Sequence, residues 1–85
     1  MKTFEYTITD PLGIHARPAG MIAAEAKKYN SVITVAKGDK AADARRLFAL
    51  MGLSAKMGDT LTVTCTGEDE KAAAEGLHDL LKQTL

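Results

Sequence analysis

Thr60-Leu61-Thr62-Val63-Thr64-Cys65-Thr66 is the stretch on which the fold turns. Threonine alternates with an apolar residue throughout. Period two therefore places Leu61, Val63 and Cys65 on one face of a strand and four threonines on the other. A strand with one wet face belongs to an antiparallel sheet covered by helices on its other face only. Working back toward the amino terminus, Ser31 to Lys37 repeats the pattern, with Ile33 and Val35 on one side. Gly38-Asp39 then suits a two-residue hairpin turn into a short strand over residues 40–43. Phe4, Tyr6 and Ile8 alternate with Glu5, Thr7 and Thr9 as a further half-buried strand, which Asp10-Pro11-Leu12-Gly13 breaks with turn residues.

Helical spacing fills the intervals. Over residues 18–28, Ala19, Ile22, Ala23 and Ala26 fall at i, i+3, i+4 and i+7, and Asn30 follows the basic pair Lys27-Lys28 as a stop. Leu47 to Met51 reads as a short apolar helix ended by Gly52. Residues 69–84 form a last helix with Ala73, Leu77, Leu80 and Leu81 inward. Gly76 inside it costs ~1 kcal/mol relative to Ala, which marks a close contact. The order is βαββαβα in one domain over residues 1–85, an α+β two-layer sandwich whose strand order the pattern leaves open.

Composition narrows the function. The chain has 85 residues, 46% apolar and 26% charged, an ordinary globular mix. Lys and Arg number 11, as do Asp and Glu, so a general nucleic-acid binder or a polybasic membrane protein is disfavoured. Seven of the eleven positive charges lie in residues 15–46, and six of the eleven negative ones in residues 57–85. Any anionic partner would be met at the basic segment, although charge alone reads more simply as solvated faces. One cysteine excludes an intrachain disulfide. Cys65 shares a face with Leu61 and Val63 and reads as a buried structural thiol. With Cys65 and two histidines only, a zinc site lacks ligands. His78, near Glu75, Asp79 and Lys82, is expected on the surface. No apolar run reaches ~20 residues and no signal-peptide core opens the chain, so the expected location is the cytoplasm.

The chemistry concentrates in Gly13-Ile14-His15-Ala16-Arg17-Pro18. Gly13 permits a sharp backbone turn. Pro18 disfavours a helical Arg17 and suits a first helical turn, so His15 and Arg17 are expected at the mouth of a helix N-terminus. There the unpaired N–H groups and the positive end of the dipole favour phosphate. A histidine in that position reads as a nucleophile whose phosphorylated form meets amides and Arg17. Spacing alone leaves a second reading open: a histidine that merely caps or packs at a helix start. Leu47-Phe48-Ala49-Leu50-Met51 also has two readings. Leu50, with Leu53, enters the core while Leu47, Phe48 and Met51 form a partly exposed patch beside Arg45 and Arg46, or all five pack inward.

Gly13-Ile14-His15-Ala16-Arg17-Pro18-Ala19, with the βαββαβα order and Gly67-Glu68-Asp69-Glu70 before the last helix, resembles the HPr family. These are the histidine-containing phosphocarriers of the bacterial phosphoenolpyruvate–sugar phosphotransferase system. The resemblance implies an open-faced β-sandwich, a four-stranded antiparallel sheet with three helices on one face. It implies a non-enzymatic carrier, monomeric and free of cofactor and metal. His15 would be phosphorylated on Nδ1, with Ala16 and Arg17 binding the phosphoryl group. Leu47, Phe48 and Met51 would dock enzyme I and the sugar-specific IIA proteins. Many family members carry a regulatory serine where this chain has Arg46, which places serine-linked control in doubt. Two alternatives stand beside the general carrier. One is a specialised paralogue in a nitrogen-related or other dedicated phosphorelay. The other is a regulatory binding module that never carries phosphate, against which the presence of both His15 and Arg17 counts.

Overall fold

A computed structural model describes residues 1–85. In chain order the elements are β1 (Lys2–Thr7), α1 (Ala16–Ala26), β2 (Val32–Lys37), β3 (Lys40–Asp43), α2 (Leu47–Gly52), β4 (Thr60–Thr66) and α3 (Glu70–Thr84). The four strands form one sheet in the order β1–β4–β2–β3, with every neighbouring pair antiparallel. The three helices cover one face, giving the open-faced α+β sandwich that the pattern and the resemblance imply.

The register explains the layering. Phe4 lies opposite Val63 and Tyr6 opposite Leu61, while Ile33 meets Cys65 and Val35 meets both Val63 and Ala42. These residues share the face toward the helices, where Leu61, Val63, Cys65, Ile33 and Val35 are buried. Ile22, Ala23 and Ala26 of α1, Leu50 of α2 and Ala73, Leu77 and Leu81 of α3 close the core over them. Full burial of each large side chain contributes roughly 1.5–3 kcal/mol. On the outer face Thr3, Thr34 and Thr64 stand side by side in register, and the Thr7 and Thr60 hydroxyls lie 3.0 Å apart. β1 and β2 are each antiparallel to β4, so they run parallel to one another with β4 inserted between them.

Four local expectations are revised. The first helix begins at Ala16 rather than Pro18, so Arg17 lies inside its first turn. Proline disfavours a helical predecessor by steric contact but does not forbid it. Pro18 loses nothing at the third helical position, because N–H groups of the first turn lack intrahelical partners. Gly52 is the last residue of α2 and not its left-handed stop; Ser54 takes that role with φ 54°. His78 is half-buried, its ring centroid 4.8 Å from that of Phe4 and 6.5 Å from that of Tyr6. Because α3 packs over the edge strand β1, the aromatic face of β1 draws the imidazole under cover. Leu80 lies at the flank of the core, half-buried. The close contact marked by Gly76 is present: a Cβ there would collide with the Tyr29 hydroxyl, which donates to Glu25 Oε2 at 2.7 Å.

Asp69 joins the start of α3 to the corner before β2. Its Oδ2 accepts the Asn30 N–H at 2.9 Å, and its Oδ1 accepts the Ser31 N–H at 3.0 Å and the Ser31 hydroxyl at 2.5 Å. Hydrogen bonds from the Ser31 hydroxyl and the Asn30 N–H hold the Asp69 carboxyl below its ordinary range. A carboxyl depressed in the folded state contributes stability that is present above its unfolded pKa and is lost as pH falls through its folded value. Asp69→Ala is therefore expected to melt at lower temperature than the parent at neutral pH, with the gap closing below about pH 4. Thermal melts across the acid range measure this. A gap that stayed constant with pH would show that the charge contributes nothing.

Candidate functional site

Everything before α1 is arranged to hold one short loop. After β1, the Ile8 N–H donates to the Asp59 carbonyl, and the Gly58 N–H donates back to the Ile8 carbonyl, each at 2.9 Å. The Leu85 carbonyl oxygen receives the Thr9 and Asp10 N–H groups at 2.6 and 2.8 Å and the Thr9 hydroxyl at 2.7 Å. Asp10 then turns the chain: its Oδ1 accepts the Leu12 N–H at 2.8 Å, and its carbonyl accepts the Gly13 N–H at 3.0 Å. Gly13 has φ 64° and presses against the backbone of Ala55 and Lys56, where no side chain fits. The Ile14 N–H donates to the Ala55 carbonyl at 3.0 Å, and its side chain is buried.

His15 follows this double anchorage as the N-cap of α1, extended at φ −112° and ψ −174°. Its carbonyl accepts the Ala19 N–H at 3.0 Å, which is the first bond of the helix. Its side chain makes no capping hydrogen bond. Pro18 has no N–H, so within the first helical turn the free donors are the N–H groups of Ala16 and Arg17. The Arg17 side chain is exposed and makes neither an ion pair nor a hydrogen bond. A half-buried imidazole therefore stands beside two unpaired backbone donors and one unpaired guanidinium. His15 and Arg17 border the same hollow, and a helix N-terminus favours an anion placed there.

The surface beside His15 and Arg17 is hollowed. Asp10, Leu12, Pro18 and Met21 border the hollow, with Gln83 and Thr84 from the end of α3. Leu12 and Met21 are exposed apolar side chains that sequence reasoning missed. The available signals were an apolar residue inside a turn and a methionine off the Ile22–Ala26 face of α1. On α2, Leu50 is buried and Phe48 is 82% exposed, with Leu47 and Met51 half-buried between them. The arrangement is the partly exposed one of the two that the sequence allowed. α1 and α2 pack together, so both apolar groups belong to the helical layer. Arg46 is an exposed N-cap of α2, but Arg45 is engaged: its guanidinium donates to the Tyr29 carbonyl at 2.7 Å and to the Ser31 carbonyl at 3.4 Å. Cys65 is fully buried, and burial pushes its thiol up from the ordinary value.

The sequence matches the PTS-HPr family, described as the PTS HPr component phosphorylation site, over residues 2–83. A phosphocarrier protein HPr of Lysinibacillus sphaericus is 45% identical over 83 residues, spanning 98% of this chain and 94% of the relative.

The chain belongs to the HPr family.

As an HPr-family chain it is a phosphocarrier of the phosphotransferase system, a carrier rather than an enzyme. A solved histidine-containing phosphocarrier protein of Mycoplasma superposes with a TM-score of 0.95 at 31% identity, covering 98% of this chain and 94% of that one. A multiphosphoryl transfer protein of Xanthomonas campestris pv. campestris is 40% identical over 80 residues, which are 94% of this chain but 10% of the longer protein. No helix is long and apolar enough to cross a membrane.

Proposed function

We propose that His15 is the acceptor, taking a phosphoryl group from phospho-enzyme I and passing it to sugar-specific IIA proteins in the cytoplasm, with the carrier acting as a monomer. The observation that carries this reading is the pairing of an uncapped His15 with the two free N–H groups of Ala16 and Arg17. In the transfer, the lone pair of a ring nitrogen forms the N–P bond as the bond from phosphorus to the donor breaks and its electrons leave with the donor. Negative charge arrives on the phosphoryl oxygens at the helix end, where the Ala16 and Arg17 N–H groups and the guanidinium receive it without rearrangement of the backbone. Onward transfer requires that this product not be held too tightly, so a small set of donors at an open surface suits a carrier better than an enclosed cage. The direct test is incubation with phosphoenolpyruvate and enzyme I, followed by intact mass and acid treatment. One acid-labile phosphoryl group per chain is expected.

Arg17 is exposed and holds no partner, so it governs transfer more than folding. Arg17→Ala is expected to slow phosphoryl transfer while leaving the melting temperature close to that of the parent. Lysine would restore part of the rate, since it supplies the charge without the planar fork. Stopped-flow or rapid-quench transfer assays read the effect, and a parental rate in Arg17→Ala would demote it to a surface charge.

The exposed ring of Phe48, flanked by Leu47 and Met51, is the docking anchor in this reading. Transfer between two histidines calls for a brief complex, which a small apolar anchor with a charged rim suits. Phe48→Ala is expected to weaken enzyme I binding by roughly 1–3 kcal/mol by calorimetry. Because the ring is 82% exposed, the circular dichroism spectrum and the denaturation midpoint should stay unchanged. Unaltered affinity would remove α2 from the interface.

A further inference from the structure

Asp10 reads in the sequence as a turn residue only, but the fold places it at the rim of the hollow that holds His15 and Arg17. It is half-buried, and no cation pairs with it. We propose that Asp10 is a positioning residue for the transfer with a second, electrostatic effect: it shapes the loop before His15 and its negative charge keeps the phosphorylated form from being too stable. The inference rests on the reading that His15 carries the phosphoryl group.

The two effects have separate physical origins. Positioning comes from Oδ1, which accepts the Leu12 N–H at 2.8 Å, together with the Asp10 carbonyl, which accepts the Gly13 N–H at 3.0 Å. Those bonds set the turn that delivers His15 to the helix end. The electrostatic effect comes from the net charge, which the turn does not need. When the ring nitrogen gains its bond to phosphorus, a group of about two negative charges enters the same hollow. The Ala16 and Arg17 donors attract it, and the unpaired Asp10 carboxylate repels it. A carrier that must both load and unload needs that opposition, because attraction alone would deepen the well from which the phosphoryl group leaves.

Asparagine separates the two. Asp10→Asn keeps an Oδ1 acceptor for the Leu12 N–H and removes the charge. Asp10→Ser provides a second neutral turn former. The parent and both variants would be equilibrated with enzyme I at a fixed ratio of phosphoenolpyruvate to pyruvate, and the phosphorylated fraction read by intact mass. The ratio of phosphorylated to free chain in Asp10→Asn is expected to rise about two- to fivefold over the parent at low salt. The excess should shrink toward unity near ~0.5 M salt, since exposed charges are screened. Asp10→Ser should shift in the same direction. Unchanged ratios at low salt would overturn the proposal. So would a shift that salt leaves untouched, because loop geometry alone produces that result. A parent chain that takes no phosphoryl group from enzyme I would instead overturn the assignment of His15 itself.

Discussion

His15→Ala is expected to carry no acid-labile phosphoryl group after incubation with phosphoenolpyruvate and enzyme I, with its fold intact. The ring nitrogen is the only nucleophile at the helix end, and the other histidine, His78, is half-buried on α3 against Phe4 of β1. The side chain makes no capping bond, so its removal leaves no buried partner unsatisfied. His15→Asn sharpens the result. An asparagine at an N-cap can accept the Arg17 N–H that His15 leaves free, and its amide is not a phosphoryl acceptor. This variant should lose labelling and gain about 0.5–1 kcal/mol of stability in urea titration, at the low end for a cap because Pro18 supplies no second donor. Activity and stability thus move in opposite directions at one residue, the sign of a position held for chemistry rather than for folding. Undiminished labelling of either variant would refute the assignment, whatever its stability.

Gly13→Ala is expected to be the most damaging small substitution in the loop. Two penalties coincide there. The backbone has φ 64°, a region that costs a residue with a Cβ roughly 1–2 kcal/mol. The added carbon would also run into the Ala55 carbonyl and come within 2.8 Å of the Lys56 Cα. These are backbone atoms and have no rotamer by which to retreat, so strain of about 1–3 kcal/mol is added. A fall of about 2–5 kcal/mol in unfolding free energy is expected from chemical denaturation. The same collision displaces the Ile14 N–H from the Ala55 carbonyl, and with it the register in which His15 enters α1. Transfer should therefore slow even in the fraction that remains folded. A Gly13→Ala chain with parental stability would mean that the loop relaxes more freely than its hydrogen bonds imply. Gly38→Ala supplies the control, since φ is 60° there but nothing lies within reach of the added carbon.

The alternation of Thr60–Thr66, the two-residue turn at Gly38-Asp39 and the apolar stripes of the first and last helices were legible because each is a local pattern. Side chains two or three to four residues apart report which face of a strand or helix is dry. For the same reason the placing of His15 at a helix start could be read from Gly13 and Pro18, whereas the surplus of apolar residues in Leu47–Met51 allowed both an exposed and a buried Phe48 and packing chose the exposed one. The resemblance to the HPr family likewise rests on one contiguous run, Gly13 to Ala19.

The strand order could not be read in this way. β1 pairs with β4, so that Thr7 meets Thr60 across 53 positions of sequence, and no local preference encodes a pairing of that separation. It is decided by which arrangement lets three helices cover all the apolar faces at once. The hollow beside His15 is of the same kind. Asp10, Met21 and Thr84 come from a turn, a first helix and the end of the last one, and only packing brings them together. Packing also settled the details that propensity misplaced. Arg17 lies within α1 because the first turn tolerates Pro18. His78 is half-buried because α3 crosses the aromatic edge of β1. Arg45 turns back to the Tyr29 and Ser31 carbonyls and leaves Arg46 as the exposed charge beside Phe48. Local sequence determined the elements, the place of His15 at a helix start and the apolar surplus of α2; the tertiary fold decided which distant groups border that histidine's hollow, because their proximity depends on burying the whole core together.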